Sequence, residues 1–333
     1  MADTITRERL EQRRVGKSDI FVSRLGLGCV TFGREVDEVE SFQLLDQAVA
    51  GGITLLDSAE GYGGGNAQLY RQKTLGVSDV REQSDELHSS EKIIGRWLRA
   101  RRGRERVVIQ TKISSSYRQE AIRRAIDESL TRLQSEWIDL YLLHQFDASV
   151  PLAEAIEALD CAVQAGKIRA FGCSNFTAAQ LREALDVSQA RELRRFEVTQ
   201  PVYNLVAREI EAALLPLCEQ RQIGVITYSP LAAGFLTGKY TTDRQAVPKG
   251  SRFDVIPGHA DIYFHERSFR TLDRLRELAA VTGLPMARLA LGWALSNQAI
   301  TSVLIGATTS AHIANGFDAL QLRFPFEGAD WGI

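Results

Sequence analysis

Four side chains in this chain are suited to moving a proton together: the carboxylate of Asp57, the phenol of Tyr62, the amine of Lys112 and the imidazole of His144. Asp57 ends a short apolar run and Tyr62 follows among glycines, in ITLLDSAEGYGGG. A phenol titrates near pH 10, so at neutral pH it is a reluctant acid unless a neighbouring cation stabilises its phenolate. Lys112, itself paired with Asp57, would supply that cation. Taken singly, each residue has a plainer reading: a helix-capping Asp, a surface-loop Tyr, a Lys buried against an acid, a hydrogen-bonded core His. Only their convergence makes a proton-donating site.

The elements that must bring them together are legible as an alternation. Strand-like runs LGLGCV, ITLLD, RVVIQTKI, IDLYLLH, IRAFGCSN, FEVTQPVYN, GVITYSP and TSVLIGAT are separated by segments of helical periodicity. Such alternation argues for parallel β-α units, and about eight strands close a β/α barrel, whose chemistry sits at the carboxyl ends of its strands. Asp57 with Tyr62, Lys112 and His144 then fall at the ends of three successive strands. A polar start up to residue 22 suggests an N-terminal β-hairpin. The GKS inside it lacks the first glycine of a phosphate loop, because Glu11 stands there. No Pro/Ser-rich linker divides the chain, so residues 1–333 are read as a single barrel domain.

Composition narrows the function. Hydrophobic content of 44% with 25% charged residues suits an ordinary globular protein, and no apolar run reaches the length of a membrane span. A formal charge of -2 offers no general attraction to nucleic acid. The start MADTITRERLEQRR has no apolar signal region, and Cys29, Cys161, Cys173 and Cys218 show no C-x-x-C spacing. Reduced thiols in a cytoplasmic protein are the expectation, with no metal site. The run Arg96, Arg99, Arg101, Arg102, Arg104 and Arg106 is read as a solvated helix end complementing the helix dipole.

The chain resembles the aldo-keto reductases over nearly its whole length, through LLDSAEGYG, IQTKI, RLQSEWIDLYLLHQFD, AFGCSN, QPVYN, YSPLAAGFLTGKY and SVLIGAT in that order. The resemblance implies a (β/α)8 barrel binding an extended nicotinamide cofactor without a Rossmann domain. Consistently, Gly26 and Gly28 do not open a G-x-G-x-x-G, because Thr31 stands at the third glycine position. It further implies that Tyr62 is the general acid for carbonyl reduction, Lys112 lowers its pKa, Asp57 holds Lys112, and His144 orients or polarises the carbonyl.

The same resemblance assigns Ser174, Asn175 and Gln200 to the nicotinamide carboxamide and Tyr228 to stacking on its ring. Ser229, Leu231, Gly234, Leu236 and Lys239 match the loop crossing the pyrophosphate, and Arg252 a residue reaching the adenosine end. That end departs from the pattern. Relatives often read G-A-R-x-x-x-Q-L-x-E-N, whereas GATTSAHIANG runs here from Gly306, placing Thr308 for Arg, His312 for Gln, Asn315 for Glu and Gly316 for Asn. NADP(H) is the favoured cofactor and NAD(H) the alternative, since fewer fixed charges attend the ribose 2′-position.

The implied function is NAD(P)H-dependent reduction of aldehyde or ketone carbonyls, or the reverse oxidation of alcohols. The alternative is a cofactor-binding regulatory subunit like the potassium-channel β subunits, which resemble this family too. A sugar-phosphate barrel enzyme is a third reading. Expected partners are small carbonyl or alcohol substrates, with neither nucleic acid nor membrane. Two inserted stretches, residues 64–88 and 240–265, would emerge on the catalytic face. Gln68, Tyr70 and Arg71, with Trp331, are read as polar walls suited to a hydroxylated ligand.

Overall fold

The computed structural model describes residues 10–76 and 82–322. It begins with the expected antiparallel hairpin, β1 (Gln12–Arg14) and β2 (Phe21–Ser23), with Gln12 opposite Ser23. The Ser18 hydroxyl donates to the Val15 carbonyl at 2.7 Å, which makes GKS a hairpin turn. Eight parallel strands then close into a barrel: β3 (Leu25–Gly28), β4 (Leu55–Asp57), β5 (Val108–Ile113), β6 (Ile138–Leu143), β7 (Ile168–Ser174), β8 (Val198–Gln200), β9 (Gly224–Thr227) and β10 (Ser302–Gly306). β10 returns to pair with β3, so no strand edge is left open. The fold is the (β/α)8 barrel implied by the alternating pattern.

Between and after the strands run α1 (Glu38–Ala50), α2 (Gly64–Leu75), α3 (Ser89–Arg101), α4 (Gln119–Leu133), α5 (Leu152–Gln164), α6 (Ala178–Ala190), α7 (Ile210–Arg221), α8 (Arg252–Val255), α9 (Gly258–Tyr263), α10 (Glu266–Thr282), α11 (Met286–Ser296) and α12 (Ser310–Leu320). Local sequence explains where several begin. Asp37 with Glu40 opens α1, and Thr177 with Gln180 opens α6, each as a reciprocal capping box that satisfies two amides otherwise left unpaired.

Period-2 alternation divides each strand between two cores. Leu55, Leu140, Leu142, Ala170, Val198, Ile226 and Leu304 point into the barrel, where Val15, Ile20 and Val22 of the hairpin join them as a stopper. Outward residues such as Leu27, Ile109, Tyr141 and Phe171 pack against the helices in a larger cluster. Continuing the inward parity along each strand reaches Asp57, Lys112, His144, Ser174, Gln200 and Tyr228. An apolar floor therefore lies beneath a polar layer.

The described parts of the two inserted stretches carry helices. Residues 64–75 form α2, and Arg71 is buried in an ion pair with Glu82, so its charge is withdrawn from any pocket wall. Tyr70 is half exposed. Residues 77–81 and Trp331 lie outside the described residues. The second stretch folds into α8 and α9, with Phe253 stacked on Tyr240 at 4.1 Å. The arginine run is largely engaged: Arg96 meets Glu38 and Glu86, Arg101 meets Asp46, and Arg104 meets Asp139. Among the described residues no single helix is long and apolar enough to cross a membrane.

Candidate active site

Asp57, at the end of β4, gathers three donors on one oxygen. Its Oδ1 accepts from Lys112 Nζ at 2.7 Å, from Gln110 Nε2 at 2.6 Å and from Gln200 Nε2 at 2.9 Å. Lys112 is fully buried and also donates to the Ser58 carbonyl at 2.7 Å. Above it, Lys112 Nζ lies 4.9 Å from the centroid of the Tyr62 ring. The Tyr62 ring meets His144 edge to face, with centroids 5.7 Å apart and planes at 73°. Gly63 follows with φ at 132°, a conformation closed to other residues, and a Cβ there would stand 2.3 Å from Ser89 Oγ. That turn fixes where the phenol emerges. The four residues expected to converge do so.

Their protonation follows from burial and mutual charge. Burial lowers the Lys112 pKa, but Asp57 and then Tyr62 outweigh it and leave the pKa above the usual lysine value. For Tyr62, burial raises the pKa and Lys112 offsets only part of the rise, so the phenol ends above its ordinary value. Lys112 lowers the phenol's pKa, as the resemblance implies, but in the free protein desolvation outweighs the cation. His144 is lowered to about 3 by burial and by the Lys112 charge, so its imidazole is neutral at physiological pH. Its Nδ1 lies 2.7 Å from Ser114 Oγ.

The residues assigned to the cofactor are placed as follows. Ser174 Oγ donates to the Gln200 carbonyl at 2.8 Å, and Asn175 Nδ2 donates to the His144 carbonyl at 3.0 Å. Tyr228 donates its hydroxyl to Asn175 Oδ1 at 2.7 Å, which anchors the tip of its ring. Gln200 is turned onto Asp57, so its Nε2 is already engaged. After Ser229 (φ 54°) the strap turns through Ala232, Ala233 and Gly234, all left-handed, with Asn204 Nδ2 donating to the Ser229 carbonyl. Leu231 is half-buried, whereas the Leu236 side chain is packed into the core. Lys239 is exposed at the end of the strap.

At the far end, Gly306 is exposed and the Thr308 amide donates to His312 Nδ1 at 3.2 Å. Burial lowers the His312 pKa, and the nearby Lys239 lowers it further. Asn315 Oδ1 accepts from Arg288 of α11 at 3.4 Å, and Arg288 is paired with Asp318. An arginine from α11 thus stands at this end, held by Asn315 and Asp318. Gly316 allows α12 to approach the barrel, since a Cβ would come 2.8 Å from Ile305 Cδ1. Arg252 pairs with Glu35 at 2.9 Å.

This donor set fits a nicotinamide dinucleotide: a hydroxyl and two amides beside an anchored aromatic ring, then a left-handed strap ending in lysine. Among the described residues no cluster of His, Cys, Asp or Glu is arranged to hold a metal ion. Sequence reasoning missed Gln110 and Ser114. Gln110 has the inward parity of Lys112, which could have found it; Ser114, in a run of three serines, carries no such signal. A groove of about 910 Å³ between the outer helices, lined by Arg124, Asp127, Arg132 and Lys167, contains none of the tetrad.

Known proteins resemble this sequence along nearly its whole length. The family model described as Aldo/keto reductase family matches residues 24–330. An uncharacterised oxidoreductase, YrpG, of Bacillus subtilis (strain 168) is 30% identical, over 96% of this chain and 93% of its own. A probable voltage-gated potassium channel subunit beta of Arabidopsis thaliana is 30% identical, over 94% and 92% respectively. Protein tas of Escherichia coli (strain K12) is 29% identical, over 94% of each. With a family match across nearly its whole length and eight strands closed into one barrel, this chain belongs to the aldo/keto reductase family.

Proposed function

We propose that this protein is an NAD(P)-dependent oxidoreductase interconverting aldehydes or ketones with alcohols, with NADP(H) as its favoured cofactor. The observation that carries the reading is the buried Lys112, 2.7 Å from Asp57 and 4.9 Å from the Tyr62 ring centroid, beside a neutral His144. In the reducing direction Tyr62 gives its phenolic proton to the carbonyl oxygen, and the Lys112 ammonium stabilises the phenolate left behind. Asp57 keeps that ammonium charged and aimed. His144, uncharged, directs the carbonyl oxygen toward Tyr62 through its ring. A bound nicotinamide supplies the hydride delivered to the carbonyl carbon.

Ser174, Asn175 and Gln200 would hold the carboxamide, which requires Gln200 to share or exchange its bond to Asp57. Tyr228 would support the ring, the strap from Ser229 through Leu231 and Gly234 to Lys239 the pyrophosphate, and Arg252, Gly306, Thr308, His312 and Asn315 the adenosine end. Leu236 would help only by shaping the strap from beneath. We place the protein in the cytoplasm, acting on small carbonyl or alcohol substrates.

The test is a parallel fluorescence titration with NADPH and NADH, followed by a carbonyl screen with whichever binds. Micromolar binding with carbonyl-dependent cofactor oxidation is expected; absence of both would sink the reading. The similarity to a channel β subunit supports a second reading, a regulatory cofactor binder. Tight NADPH binding with no turnover across the screen would favour it.

A further inference from the structure

We infer that Glu60 is a positioning residue for His144: its carboxylate clamps the turn after β5, and that clamp holds the Ser114 hydroxyl on the imidazole so that Nε2 is the nitrogen presented to substrate. The inference deepens the proposed function and rests on it for the rate effects alone. The stretch that supplies Asp57 and Tyr62 also supplies this glutamate, yet nothing in the proton-transfer scheme uses it. Its backbone is fixed on both sides. Glu60 N donates to the Lys112 carbonyl at 2.9 Å, and the Glu60 carbonyl accepts from His88 Nδ1 at 2.5 Å. The side chain then reaches across to the next connection, where Glu60 Oε2 accepts from the Ser114 amide at 2.8 Å and from the Ser115 amide at 3.2 Å.

Why that turn needs a clamp follows from its sequence. Ser114, Ser115 and Ser116 are exposed, and none carries an apolar side chain that packing could hold. Their amides precede α4, which begins at Gln119, so the carboxylate is not capping a helix. At the far end of the connection Tyr117 is buried, and its hydroxyl accepts from the Gln145 amide at 3.0 Å. The near end is fastened by Glu60. There Ser114 Oγ lies 2.7 Å from His144 Nδ1, and Gly61 leaves it room, since a Cβ on that glycine would come 3.1 Å from the same oxygen.

The alignment matters because a neutral imidazole has two tautomers. Backbone bonds fix the base of His144: its amide donates to the Ile113 carbonyl at 3.2 Å and its carbonyl accepts from Asn175. They do not choose which ring nitrogen carries the proton. The hydrogen bond made by the other nitrogen does that, and a Ser114 hydroxyl donating to Nδ1 leaves the proton on Nε2. Without Glu60 the serine turn carries its hydroxyl out of line, and the ring loses that selection. The two amides released are exposed and find water, so the loss falls on alignment rather than on folding.

The test reads the tautomer directly, by nitrogen NMR of the full chain carrying isotope-labelled histidine. The ring signals of His144 are identified among those of the five histidines by their loss in His144→Gln. Wild type is expected to show a single Nε2–H tautomer and Glu60→Ala a mixture. Glu60→Gln, whose amide oxygen still accepts from both backbone amides, is expected to keep the wild-type pattern. In turnover, Glu60→Ala is expected to lower kcat about three- to tenfold with cofactor affinity unchanged, the scale of losing the Ser114 bond itself. Added to Ser114→Ala it should lower kcat no further, because both act through one hydroxyl. If Glu60→Ala melts early, Glu60→Asp, a methylene too short to reach the amides, gives the same reading. A wild-type ring protonated on Nδ1, or a single Nε2–H tautomer in folded Glu60→Ala, overturns the proposal. So does a Glu60→Gln protein that behaves as the alanine variant, or a full further loss of rate in the double variant. Absence of turnover in every protein would sink the proposed function and leave the tautomer result readable.

Discussion

Asp57 inside the barrel and Glu35 at its rim are both carboxylates drawn on by several donors, and the contrast between them separates two kinds of polar site. The donors to Asp57 come from β5 and β8, whose positions are fixed by ladder pairing on either side. Those to Glu35 come from connections, which change partners without disturbing a strand. The strand-borne cluster is a fixed electrostatic platform, and preorganisation of that sort is what a proton-transfer site requires. The Glu35 cluster, with Arg34 and Arg252, has no such ladder to fix its members.

The sharpest way to break this comparison is to remove each acid in turn. Asp57→Ala strands a fully buried ammonium and is expected to cost about 3–5 kcal/mol of stability, whereas Glu35→Ala should cost about 1 kcal/mol or less, as for a partly exposed pair. Urea denaturation of both variants measures the difference, and equal losses would erase the distinction. Next in size is Tyr62→Phe, expected to lower turnover by roughly 10²-fold or more while the NADPH dissociation constant stays near the wild-type value. Stopped-flow reduction of a reactive aldehyde is the measurement. A rate close to wild type would show the phenol to be misassigned.

How far each site could be read from sequence follows the same division. The strand-borne residues were legible because each falls at the end of a strand-like run, in ITLLD, RVVIQTKI and IDLYLLH; period 2 explains why they face inward, and Gln110 shares the parity of Lys112 yet went unread. α2 was not legible. Its sequence GGNAQLYRQKTL has no apolar stripe, and Leu69 and Tyr70 are exposed. It is held instead by the Arg71–Glu82 pair and by backbone bonds such as Gly65 N to the Glu86 carbonyl at 3.3 Å, contacts no local pattern reports. The Glu35 cluster escaped for the same reason, since its members lie more than two hundred residues apart. The phenol's raised pKa escaped because it depends on the balance between burial and Lys112, and sequence reveals only the cation.

A smaller effect probes the platform through acid. The His144 pKa is lowered from 6.5 to about 3 on folding, so between those values the unfolded chain takes up a proton that the folded one refuses. Unfolding is therefore favoured as pH falls through that window, and the contribution is fully recovered only above the unfolded value. His144→Gln should flatten the drop in melting temperature between pH 7 and pH 4 relative to wild type. Parallel melting curves for the two proteins would count against a neutral, desolvated imidazole. The same shift predicts no histidine limb in the turnover profile between pH 5.5 and 8, a range chosen to lie well above about 3.

The smallest expected effect concerns Ser114. If its hydroxyl donates to His144 Nδ1 across 2.7 Å, the ring proton is held on Nε2, the tautomer able to donate toward a carbonyl oxygen. Ser114 is exposed, so in Ser114→Ala a water would take over part of that bond and soften the loss. A fall in kcat of about three- to tenfold is expected, with cofactor affinity unchanged and most of the rate restored in Ser114→Thr, which keeps the hydroxyl. Full activity in the alanine variant would mean that the edge-to-face contact with Tyr62 alone orients the imidazole. The fixed platform would then extend one residue beyond the strands, into packing.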